Sequence, residues 1–445
     1  KTNPVKQACN YESPRHVARR GAFSAGVGRG VGFAGGMIKS FLRPLVGFVA
    51  VTGGLSAAEN PLLTASTLQF GYPRFDLIRA EHYRPAYAQG MAENLREIAA
   101  IADNPAPPTF DNTLVALERS GQLLDRVGRI FDGLNSTDTN PALEAIEQEM
   151  APKLAAHADA ILLNPRLFAR IATLHGRRAE LGLDPESLHL LERTYNSFVR
   201  AGAKLGTAEQ ARLRALNTEL ATLQTAFSQN VLKEVNASAV LVATRAELAG
   251  WSEAAIVAAA AAAKAAGHDG QYLIRLVNTT GQEPLSQLTN RALRQRLFQA
   301  SIARGSRGGD FDNRAIVAQL ARLRAERAAL LGYANHATFI LADQTAGTVA
   351  AVNGLLQKLA PPAVANARRE AADIQKIMEQ EAPGTTLEPW DWAYYTEKVR
   401  NAKYAFDEAE LRPYFEFDRV LRDGVFYAAT QLYGLTFEER TDLPR

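Results

Sequence analysis

Residues 207–231 read TAEQARLRALNTELATLQTAFSQNV, and this stretch decides the fold class. Thr207 followed by Gln210 has the spacing of a capping box, in which a hydroxyl and a side chain three residues on satisfy each other's free backbone amides. Behind it Leu213, Leu216, Leu220, Leu223, Phe227 and Val231 recur every three or four residues, which draws one apolar stripe along a helix. A stripe this long suits either a dimerising coiled coil or packing inside the same chain. We read it as internal packing, because the same pattern recurs on both sides of it.

Towards the N-terminus, Pro85 fits the first turn of a helix running to Ala102. Leu114, Leu117, Leu124, Val127, Phe131 and Leu134 share one face of a further long helix. Asn140-Pro141 forms a cap and first-turn pair, with Leu143, Ile146, Met150 and Leu154 inward. Towards the C-terminus, Ile316, Leu320, Leu323 and Leu330 line one helix. Val352, Leu355, Leu356 and Leu359 line another, which Pro361-Pro362 should stop. One interruption stands out. The β-branched runs Ala239–Thr244 and Tyr272–Val277 flank an alanine-rich helix, Ser252–Ala266, closed by Gly267. The expected fold is mainly α, multi-helix, with a small inserted β element at 239–277. No repeat of constant period appears, which argues against a regular solenoid.

Length and composition bound the rest. A chain of 445 residues is too long for one compact core. Its 47% apolar and 22% charged residues are those of an ordinary globular protein. The net charge of +3 is unevenly spread: residues 1–58 hold eight basic side chains and one acid, Glu12, so the body is mildly acidic. No basic stripe interleaved with aromatics runs through that body, and nucleic-acid binding is set aside. Residues 1–36 are rich in Gly and Arg and read as an upstream leader outside the native protein. Residues 37–58 have the layout of a secretory signal: Lys39 and Arg43, the apolar run Leu45–Val51, then small residues with cleavage after Ala58. A membrane anchor would need roughly 20 continuous apolar residues, which are lacking. The expected destination is a bacterial periplasm or the exterior, with no membrane span in the mature chain. Cys9 is the sole cysteine, and it falls in the leader.

Signatures of chemistry are sparse. Hydrolytic zinc sites place two His one helical turn apart with a Glu beside them. His82, His157, His175, His189, His268 and His336 each stand alone, as does His16 in the leader. His157, His189 and His336 read as packed or half-exposed side chains. No phosphate-binding loop and no nucleophile elbow are present, and the mature chain has no cysteine nucleophile. Glu147/Glu149 and Glu408/Glu410 are i, i+2 pairs that point to different helix faces. Two stretches remain. Residues 304–313, RGSRGGDFDN, are a basic Gly-rich turn leading into a helix. It could hold an anion such as a peptide carboxylate, but the plainer reading is a helix–helix connection capped by Asp312 or Asn313. Residues 390–395, WDWAYY, are an aromatic cluster that either lines a peptide groove or anchors packed elements.

Seven segments in order resemble the thimet oligopeptidase family, within it the bacterial peptidyl-dipeptidase group. They are Phe75–Ile78 with Glu81–Ala86, Pro108–Thr113, Leu288–Arg291, the Arg304–Asn313 turn, Leu330–Tyr333, Trp390–Tyr395 and Leu411–Phe415. The resemblance spans roughly Asn60 to the end. It implies a helical, two-lobed peptidase that takes short peptides into a deep channel, binds zinc through HExxH and a downstream Glu, and removes C-terminal dipeptides. It also implies a helical N-terminal lobe over 59–345 and the start of a catalytic lobe over 346–445. In the family, HExxH would follow the segment corresponding to Leu435–Glu439, and these 445 residues contain no such motif. No catalytic or metal-binding residue is therefore assigned here, and the substrate-binding residues are left open. Zinc is expected for a complete family member and not on this chain, which alone is expected to be inactive. The alternatives are a non-catalytic helical peptide-binding or scaffold protein, or one half of a split peptidase completed by a separate catalytic region.

Overall fold

A computed structural model describes residues 60–444 apart from 280 and 405–410. The leader and signal expectations, at 1–36 and 37–58, lie outside the described residues. The fold is mainly α with one two-stranded sheet. The chain divides into two compact units, and the division falls between Thr218 and Glu219.

The first unit holds α1 (Ala80–Ala102), α2 (Ala116–Arg119), α3 (Gln122–Thr137), α4 (Pro141–Leu162), α5 (Pro165–Gly176) and α6 (Pro185–Arg200). The start of α7 (Thr207–Ala237) also belongs to it. Helices α4, α5 and α6 begin alike: Asn140, Asn164 and Asp184 accept backbone amides of the first turn, each followed by Pro, whose missing N–H costs nothing there. The core packs Tyr83 and Tyr87 edge-on to Phe131, at 5.0 and 5.8 Å between ring centroids, over Val127, Ile146 and Met150.

Three helix boundaries differ from the sequence reading. α1 starts at Ala80, so Pro85 sits inside it rather than in its first turn. The stripe from Leu114 to Leu134 is not one helix. A π turn (Phe110–Val115) and α2 end at Ser120, and Gly121, at φ +75°, begins α3. Its left-handed backbone lets one helix stop and another start within two residues, and its amide donates to Glu97 Oε2 at 2.6 Å. At α7 the cap moves back one residue. The Gly206 carbonyl accepts the first helical bond, from Gln210, and its amide donates to Glu209 Oε2 at 2.9 Å, so Thr207 is already helical. Leu213, Leu216 and Leu220 of the stripe are buried, while Leu223, Phe227 and Val231 are half-buried.

The second unit opens with the far part of α7. It continues through β1 (Val240–Val242), α8 (Glu253–Ala265), β2 (Tyr272–Ile274), α9 (Pro284–Gln287) and α10 (Arg291–Ile302). Then follow α11 (Arg314–Leu330), α12 (His336–Leu341), α13 (Val349–Glu381), α14 (Trp392–Tyr404) and a last short helix, Tyr427–Tyr433. The strands pair antiparallel, Val240 opposite Ile274 and Val242 opposite Tyr272, as the flanking β-branched runs suggested. Val242, Leu248, Ile274, Leu288 and Leu297 form the core beneath them.

Here the structure overturns one expectation. Pro361-Pro362 do not stop α13, which runs through them for 33 residues. Two prolines remove two ladder bonds, to the carbonyls of Gln357 and Lys358. Residues 355–370 are exposed along their whole length, so water can take those carbonyls. Leu355, Leu356 and Leu359, expected inward, are more than half exposed. Among the described residues no helix is long and apolar enough to cross a membrane.

Candidate functional site

The densest set of charged and aromatic side chains lies where α10 meets the start of α14. Asn290 caps α10 by accepting from the Leu293 amide at 3.0 Å. Arg291 and Arg294 then fall three residues apart on one face. Asp391 begins α14, its carbonyl accepting from the Tyr395 amide at 3.0 Å, and it is fully buried. Its carboxylate takes Arg294 Nη2 at 2.8 Å on one oxygen and Arg291 Nη2 at 2.7 Å on the other. Burial pushes this carboxyl up, but the hydrogen bonds from Arg291 and Arg294 outweigh it and hold it below the usual carboxylate range. The rest of the Arg294 guanidinium donates to the carbonyls of Leu288, Thr289 and Trp390. Its face lies 4.2 Å from the Tyr394 ring centroid, with Lys398 4.7 Å from the same ring.

This arrangement settles what the sequence left open about WDWAYY. The cluster anchors α14 on α10. Four of the five Arg294 donors are taken by the protein itself, and Asp391 accepts from both guanidiniums and from the Glu388 amide at 3.2 Å.

The turn at 304–313 is likewise consumed by the protein. The Gly305 amide donates to the buried carboxylate of Glu234 on α7, and Arg307 Nε lies 3.5 Å from the other oxygen of that group. Asp312 accepts the Gly308 amide at 2.8 Å and the Arg314 amide at 2.9 Å. Its carboxyl is held far below the usual range, chiefly by its hydrogen bond with the Arg314 side chain. Arg304 donates to the carbonyls of Val277 and Thr279. The turn does bind a carboxylate, but that carboxylate is Glu234, so the connector reading holds. Asn313 holds the cap position, its carbonyl accepting from the Val317 amide at 2.8 Å and its buried side chain reaching the Phe227 carbonyl at 3.2 Å, while the Asp312 carboxylate takes the Arg314 amide.

The histidines stay apart. His82 accepts the Arg79 amide at 3.0 Å, His175 stacks on Tyr195 at 3.8 Å, and His336 opens α12. Among the described residues no three His, Cys, Asp or Glu side chains are grouped to hold a metal ion, so they do not fit a zinc site. A shallow cleft of about 330 Å³ in the first unit, beside Asp125, Arg126 and Arg129, is also occupied by internal pairs. Arg129 bonds Asp125 at 3.1 Å, and Arg126 donates to the carbonyls of Leu62 and Leu63.

Burial lowers the imidazole pKa of His157, His175 and His336, and His157 is the most deeply buried of the three. It is buried between α1 and α4, with Nε2 2.8 Å from Asn94 Oδ1, while Nδ1 has no hydrogen-bond partner. Burial holds the imidazole below its ordinary value. The folded state therefore keeps it neutral, whereas the unfolded chain protonates near pH 6.5. Its contribution to stability is complete above that value and is lost as pH falls through the depressed folded value. The urea midpoint of the first unit should drop between pH 7 and pH 5, with a smaller drop in His157→Gln. Equal drops in both proteins would assign the acid sensitivity to other groups.

Comparison with known proteins adds what the geometry does not. Residues 285–445 match the model of Peptidase family M3. The chain is 44% identical over 385 residues to the dipeptidyl carboxypeptidase of Escherichia coli (strain K12), a match that covers 86% of this chain and 56% of that protein. It is 43% identical over 387 residues to the dipeptidyl carboxypeptidase of Salmonella typhimurium (strain LT2), covering 87% and 57%. It is 29% identical over 388 residues to oligopeptidase A of the same organism, covering 86% and 56%. The chain thus spans little more than half the length of the relatives it matches.

Proposed function

Because this chain belongs to peptidase family M3, in its peptidyl-dipeptidase group, we propose that it forms the helical body of a zinc metallopeptidase that releases dipeptides from the C-termini of short peptides. The observation that carries this reading is the identity gradient over one span: 44% to a dipeptidyl carboxypeptidase against 29% to an oligopeptidase A. The zinc, with its ligands and general base, would be supplied by a catalytic region outside these 445 residues. Zinc there would activate water against the scissile carbonyl. The residues in hand would shape and support the channel wall, with 59–345 as one lobe and 346–445 as the start of the other. Residues 37–58 would direct the protein to a periplasm or the exterior, with cleavage after Ala58.

The test uses an N-blocked hexapeptide and mass spectrometry. The 445-residue chain with added zinc is expected to leave the peptide intact. The protein purified from its own cells is expected to shorten it by two residues at a time from the C-terminus. Loss of single residues, or a first cut near the N-terminus, would overturn the dipeptidase reading. Zinc-dependent cleavage by the 445-residue chain would overturn the placement of the catalytic region.

A further inference from the structure

We draw no further inference here: the strongest candidate, the basic cluster of Arg324 and Arg327 on α11 beside His336 and Phe339 of α12, carries nothing, because Arg324 is tied to His336 only through a pKa shift that burial chiefly causes.

Discussion

Replacing Asp391 with alanine is expected to destabilise the second unit by about 3–5 kcal/mol, the range for removing one partner of a buried ion pair. The carboxylate is fully buried and receives Arg294, itself only 2% exposed, at 2.8 Å. Its removal leaves a guanidinium charge inside the protein with carbonyls but no anion. Arg291 suffers less, because its side chain is 42% exposed and water can replace the lost partner. The reasoning predicts an asymmetry. Arg291→Met should cost less than Asp391→Ala, and the double variant Asp391→Leu/Arg294→Met should recover much of the loss, since no buried charge is then left unpaired. Urea unfolding of the four proteins at pH 7 gives the comparison. A cost under about 1 kcal/mol for Asp391→Ala would show that the site opens to water and anchors little.

The same carboxylate has a pH signature. Its folded value lies below the usual one, so its contribution is present above about pH 4 and is lost as pH falls further. His157→Gln should therefore remove part of the first unit's loss of stability just below neutral pH, and Asp391→Ala part of the second unit's loss below about pH 4.

Sequence reasoning reached the helices and the inserted strand pair because those rest on local spacing, and the family because seven segments in order resemble it. Asn140-Pro141 predicted a helix start, and Val240–Val242 with Tyr272–Ile274 a sheet, from neighbours within a few residues. It failed where a distant partner or solvent decides. Nothing within 304–313 reveals that the anion for its amides is Glu234, some 70 positions upstream. The WDWAYY cluster reads as anchor or groove until Arg291 and Arg294, about a hundred positions away, are seen to saturate Asp391. Pro361-Pro362 looked like a stop because proline usually breaks a buried helix, yet on a helix turn wet all round the freed carbonyls cost little. The boundary at Gly121 was legible in principle, from a glycine following Ser120 inside an apolar stripe, but the stripe's regular spacing hid it.

Gly250→Ala is expected to destabilise the second unit by about 2–5 kcal/mol, from two separable causes. The residue holds φ +90°, where a side chain costs roughly 1–2 kcal/mol. In addition, a β-carbon there would stand 2.3 Å from the Gln287 carbonyl oxygen and 3.0 Å from Thr289 Cγ2. The first of these is backbone and cannot rotate aside, so the loop must move, at a cost of about 1–3 kcal/mol by analogy with an overpacked core. Movement would also strain the bonds that tie the loops together, Thr289 N and Oγ1 to the Ala249 carbonyl at 2.9 and 3.1 Å. Gly267 separates the causes. It has φ +83° with open space around it, so Gly267→Ala should carry the backbone cost alone. Equal losses at the two sites would mean that the close approach at Gln287 is absent in solution. The consequence reaches the buried ion pair, because the carbonyls of Leu288 and Thr289 hold Arg294 in place. Shifting that loop should already weaken the grip on Asp391, so Gly250→Ala and Asp391→Ala together should cost less than the sum of the two. Strict additivity would show instead that the loop and the ion pair stand independently.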